Sequence, residues 1–170
     1  MKGLSIALLI LLAGLSQVAV SPLFPVSAAV PDMSLVTLVM LAVFAGPTSV
    51  MIGLPLMAIF VGFDSGRQPG LVLMAYLPLL PVALFLEESR IPLNRYLQTT
   101  LAALFTGAWA RTVMAFGAIA GGADPAFGAL VGQLVVPGLV LDFALLTLVY
   151  APVRLLGWSG RGVTLQRSRW

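Results

Sequence analysis

The sequence predicts an all-α integral membrane protein with six transmembrane helices and both termini on the cytoplasmic side. Three observations carry this. Of the 170 residues, 60% are hydrophobic and only 9% are charged, against about 25% charged in a soluble domain. Long apolar runs recur from end to end, separated by short stretches rich in proline, glycine and charge. The basic residues collect on one side of the alternating spans.

Gly3–Val20, GLSIALLILLAGLSQVAV, carries no charge and approaches the roughly 20 residues that cross a bilayer. A signal peptide competes, with Lys2 as its basic start and Val26–Ala28 as a weak cleavage site. The run exceeds a usual signal core, so we read an uncleaved first span. Ser21–Asp32 holds three prolines and reads as a partly embedded loop. Met33–Phe63 as one helix would extend about 46 Å, too long for a hydrocarbon core of about 30 Å. It divides at Gly46-Pro47 into two short spans. Asp64–Gly70 is a polar turn. Leu71–Leu86 is the fourth span, with Pro78 and Pro81 inside it. Prolines are tolerated in membrane helices when neighbouring groups take up the freed carbonyls. Glu87–Arg95 is a polar loop, Tyr96–Gly121 the fifth span, Gly121–Pro125 a turn and Ala126–Ala151 the sixth span. Residues 1–157 form one polytopic domain, and 158–170 a basic cytoplasmic tail that can also meet anionic head groups.

With six spans, Lys2, Arg90, Arg95, Arg154, Arg161, Arg167 and Arg169 share one side, and Arg67 stands alone on the other. That asymmetry places both ends in the cytoplasm.

The absences exclude whole classes of chemistry. The chain has no histidine and no cysteine, so serine–histidine hydrolysis, thiolate chemistry and histidine or cysteine metal sites are out. No phosphate-binding loop is present. An aspartyl dyad needs two carboxylates about 3 Å apart. Its candidates, Asp64 and Asp142, fall at different depths. No cofactor is expected.

Two charges fall inside spans, Arg111 and Asp142, and such residues face a bundle interior or a cavity. Counted along straight helices from opposite faces, they lie about 14 Å apart in depth. Separate partners are therefore expected, such as backbone carbonyls or hydroxyls, or an outward reach to the interface by Arg111. Arg111 shares its helix face with Leu104, Gly107, Ala108, Ala115 and Ala118. Small residues allow close helix approach. Gly128 and Gly132, and Gly62, Gly66 and Gly70, repeat every four residues, and close packing within the chain is the simpler reading of such spacing. Trp109 and Phe105 read as lipid-facing or core.

The chain resembles the MreD family, small polytopic membrane proteins of the bacterial rod-shape system. Three stretches carry the resemblance. Pro31–Pro47, PDMSLVTLVMLAVFAGP, is similar to the family's Pro-Asp opening of the second span. Gly53–Tyr76 is similar to its glycine and aspartate run, with Asp64, Ser65, Gly66 and Gly70 in those places. Val135–Gly157 is similar to its last span, with Pro137, a polar residue five positions on at Asp142, and Pro-x-Arg at the inner end. The chain departs from the pattern at Asp142, where asparagine is frequent, and at Pro55 in the third span.

The resemblance implies a bundle like the substrate-binding S subunits of energy-coupling-factor transporters. It also implies a location in the bacterial cytoplasmic (inner) membrane. The implied function is a non-enzymatic scaffold of the elongasome. Such a scaffold binds MreC and supports peptidoglycan synthesis by RodA with a class B penicillin-binding transpeptidase. No nucleic acid is implicated. Asp64, Gly66, Gly70, Gly107, Arg111, Pro137 and Asp142 become candidates for structural or partner-interface roles. The alternative is an S subunit that binds a vitamin, for which Arg111 could anchor an anion, with Asp64 and Arg67 on the same side.

Overall fold

A computed structural model describes residues 2–88, 94–123 and 127–155. The basic tail 158–170, and with it Arg161, Arg167 and Arg169, lies outside the described residues, as does Arg90. The described residues are helical throughout apart from turns and connections, with no strand among them.

The helices are α1 (Lys2–Ala19), α2 (Met33–Ala45), α3 (Pro47–Asp64), α4 (Pro69–Tyr76), α5 (Leu79–Glu88), α6 (Arg95–Ala120), α7 (Phe127–Ala129) and α8 (Val136–Leu155). A π-helical turn over Leu130–Val135 joins α7 to α8. Helices α4 and α5 form one interrupted rod, and α7 to α8 another, so the expected six segments are all present. Five of the six are long and apolar enough to cross a membrane, and Met33–Ala45 is the shorter one. This is the architecture of a multi-pass membrane protein.

The expected division at Gly46-Pro47 is present. Gly46 holds φ +83°, a backbone conformation suited to glycine, and Pro47 opens α3. Helix α3 is longer than the sequence suggested, reaching Asp64. It ends in a Schellman motif: Gly66 has φ +65°, Arg67 N–H donates to Gly62 O at 2.9 Å and Gly66 N–H to Phe63 O at 3.3 Å.

Helix α2 is the axis of the bundle. Nine of its thirteen residues are buried: Ser34, Leu35, Val36, Leu38, Val39, Met40, Leu41, Ala42 and Phe44. It touches α1, α3, α5, α6 and α8. A helix apolar on all sides belongs inside its bundle. Large apolar side chains on the other rods, such as Leu12, Met51, Phe85, Phe105 and Leu148, point outward, as a bilayer solvent requires.

Two prolines break helices, and each freed carbonyl finds a donor from elsewhere. Pro78 cannot bond Met74 O four residues earlier. The indole Nε1–H of Trp109, on α6, donates to that oxygen at 3.2 Å. Pro137 likewise frees Gln133 O, and Ala28 N–H in the 20–32 loop donates to it at 3.3 Å. Trp109 is thus half-exposed to the surroundings yet anchored by its polar tip.

The α3–α4 hairpin depends on a close approach. A Cβ at Gly62 would lie 2.7 Å from Pro69 Cα, which is backbone and cannot rotate away. At Gly70 nothing lies within 4 Å. Gly62→Ala should therefore lower the melting temperature in detergent, by the equivalent of about 1–3 kcal/mol. Gly70→Ala should leave it unchanged or raise it slightly.

Candidate functional site

Helix α2 begins inside the bundle rather than at its end. The first N–H groups of a helix have no partner within it, and a membrane interior supplies no water to them. Side chains of the helix's own cap and of two other helices meet them here. Asp32, the N-cap, accepts from Leu35 N–H through Oδ1 at 2.8 Å, the expected role of aspartate at that position. Gln17 of α1 accepts from Ser34 N–H at 3.3 Å through Oε1. Asp142 of α8 accepts from Asp32 N–H at 2.7 Å through Oδ1. Val36 N–H closes the first helical turn on Asp32 O at 3.1 Å.

These groups bring two carboxylates to one helix N-terminus, whose positive dipole end favours anions. Arg111 supplies the opposing charge. Its Nη2 donates to Asp142 Oδ2 at 2.7 Å, with only 12% of the arginine side chain and 2% of the aspartate side chain exposed. The same nitrogen donates to Val30 O at 3.3 Å. Tyr76, the last residue of α4, donates its hydroxyl to Asp32, with the proton shared between Oδ1 at 3.0 Å and Oδ2 at 2.9 Å. The loop is held in by the Ser21 hydroxyl, which donates to Pro31 O.

The expectation that Arg111 and Asp142 act separately is corrected. Measuring each helix from an opposite face exaggerated their separation. Counted from the hairpin that α6 and α8 share, Arg111 lies nine residues before Ala120 and Asp142 fifteen after Phe127. The difference is about 9 Å of helix, and the long guanidinium arm spans it. Arg111 does not reach outward to the interface. Its guanidinium lies against Gly138, where a Cβ would collide with it.

The other sequence candidates divide by role. Gly107 packs beneath the pair, its Cβ position 3.5 Å from Asp142 Oδ2 and 3.2 Å from Leu35 Cδ2. Pro137 lies at the start of α8, between the π-helical turn and Gly138. Gly66 serves the α3 terminus. Asp64 and Gly70 are exposed and take no part in the network. Three members were absent from the sequence candidates: Asp32, Tyr76 and Gln17. Asp32 carried a readable signal, an aspartate directly before an apolar run. Tyr76 and Gln17 carried none, because only the fold brings them there.

Beside this junction is a cavity of about 720 Å³, bounded by the 20–32 loop, α3, α4, α6 and the start of the last rod. Asp32, Tyr76, Arg111, Gln17, Arg67 and Gln68 line it together with apolar side chains. Among the described residues no group of three metal-ligating side chains forms. No protein-family model, curated protein or solved structure matches the chain.

Removing one member of a buried ion pair strands the other charge and costs about 3–5 kcal/mol. Arg111→Met should therefore destabilise strongly, as should Asp142→Asn. The double variant should lose clearly less than the sum of the two. Thermal unfolding of the four proteins in detergent gives the coupling directly. Additive losses would mean the pair is not formed.

Proposed function

We propose that the chain is a membrane scaffold of the MreD kind. In this reading it sits in the bacterial cytoplasmic membrane with both termini inside, binds the single span of an MreC-like partner, and supports RodA and a class B penicillin-binding transpeptidase in wall synthesis. The motif resemblance in Pro31–Pro47, Gly53–Tyr76 and Val135–Gly157 motivates it.

The observation that carries the reading is an unoccupied small-residue face on the last rod. Gly107, Gly62 and Gly138 are filled by neighbours within the chain. Gly128 and Gly132 have nothing within 4 Å of their Cβ positions. Val136 and Val140 continue the exposed side at the same spacing. A partner helix laid there could bring its backbone close, as small residues spaced four apart permit. The internal charges are consistent with this role, since Arg111, Asp142, Asp32 and Tyr76 bond one another and pin the bundle.

The second reading, an S subunit that binds a vitamin, is favoured by the cavity beside the α2 N-terminus. The two readings separate on one experiment. Tagged full-length chain is recovered from its own membranes, with Gly132→Leu alongside. The scaffold reading expects a bitopic MreC-like partner with the wild type and a several-fold loss with Gly132→Leu, at unchanged expression and monodispersity. Recovery without such a partner, with a stoichiometric vitamin bound, contradicts it.

A further inference from the structure

The cavity has no part in scaffolding, yet it is built like a binding site. Its volume of about 720 Å³ falls in the range of about 300–1,000 Å³ typical of small-molecule sites. Val61, Leu71, Met114, Ala118 and Leu134 give it apolar walls. Three charged side chains line it, Asp32, Arg67 and Arg111. Arg111 is paired with Asp142, and the other two, of opposite sign, have bonding capacity left over.

Asp32 lies at the floor and is only part-buried. Its Oδ2 takes only a share of the Tyr76 proton, so lone pairs remain for another donor. Among the described residues no cation lies within salt-bridge distance of it, because Arg111 is engaged with Asp142. A carboxylate at that depth without a counter-charge is costly. Arg67 stands at the mouth. It is exposed, and the one contact of its guanidinium among the described residues is Nη1 to Met114 Sδ at 3.9 Å. A thioether is a weak acceptor, which leaves most of the guanidinium donors available. Met114 lies three residues beyond Arg111 on α6, about 4.5 Å further out. The cavity therefore runs from an acid, along apolar walls, to a base.

We propose that this cavity binds a small zwitterionic molecule with an apolar body. Its ammonium group meets Asp32 Oδ2 and its carboxylate or other anionic group meets Arg67. The site does not rest on the scaffold reading, and loss or recovery of a partner span leaves it untouched.

The test uses full-length chain in lipid nanodiscs. The sequence has no cysteine, so Ala118→Cys places a single reactive thiol on the cavity wall. Its labelling by N-ethylmaleimide is followed with ω-amino carboxylates from 4-aminobutanoate to 8-aminooctanoate, and with hexanoate and hexylamine. At least one ω-amino carboxylate, 6-aminohexanoate being the central case, should slow labelling saturably. Hexanoate and hexylamine should each need about ten-fold more or higher, the effect of losing one charge-assisted contact. Asp32→Asn, which keeps a capping oxygen, should erase the advantage over hexanoate. Arg67→Gln, at an exposed position, should erase the advantage over hexylamine, and it carries the test alone if Asp32→Asn fails to fold. Absence of protection across the series overturns the proposal. So does equal protection by the singly charged compounds, or protection indifferent to both substitutions.

Discussion

The fold depends on a helix whose first amide groups lie inside the bundle and are bonded there by side chains of its own cap and of two other helices. Helix α2 is thirteen residues long, about 20 Å, too short to cross the bilayer core. Its N-terminus is consequently buried among other helices. Unpaired N–H groups there would each cost several kcal/mol in lipid. The remedy is local and polar: Asp32 from its own cap, Gln17 from α1 and Asp142 from α8. Once two carboxylates are gathered at that point, a cation is needed, and Arg111 is the long side chain that reaches Asp142. The arginine in an otherwise uncharged helix is thus explained by the helix it faces.

The same rule governs the broken rods. Each proline that interrupts a helix leaves a carbonyl without its usual donor. Trp109 serves Met74, and Ala28 serves Gln133. The second of these also ties the 20–32 loop to the last rod, within the π-helical turn that precedes Gly138 and Asp142. Loop, π-helical turn and ion pair are therefore parts of one arrangement. Gly138 allows the guanidinium to lie flat against α8, and Gly107 leaves room beneath the carboxylate.

Much of the fold was legible because membrane helices announce themselves by length and apolarity. The six segments and the Gly46-Pro47 hairpin follow from residue types whose backbone effects are local, whereas the fourth span, read as one helix with Pro78 inside it, is interrupted there. The site was less legible. Arg111 and Asp142 stand out as charges within apolar runs, but their pairing depends on how far each helix extends past the shared hairpin. A π-helical turn and side-chain reach alter that count. Tyr76 and Gln17 look unremarkable in their helices and gain their roles from the fold alone. Gly66 and Gly70, candidates through the motif resemblance, prove to be a helix cap and an open position.

The backbone amides of Asp32, Ser34 and Leu35 offer the most direct test of this arrangement. Site-resolved hydrogen exchange in nanodiscs compares them with amides in the middle of α3. If the α2 N-terminus is buried and internally bonded, the three exchange as slowly as that core, and Asp142→Ala accelerates Asp32 most. Fast exchange at all three in the wild type would contradict it, for then the N-terminus of α2 meets water and needs neither Asp142 nor Arg111.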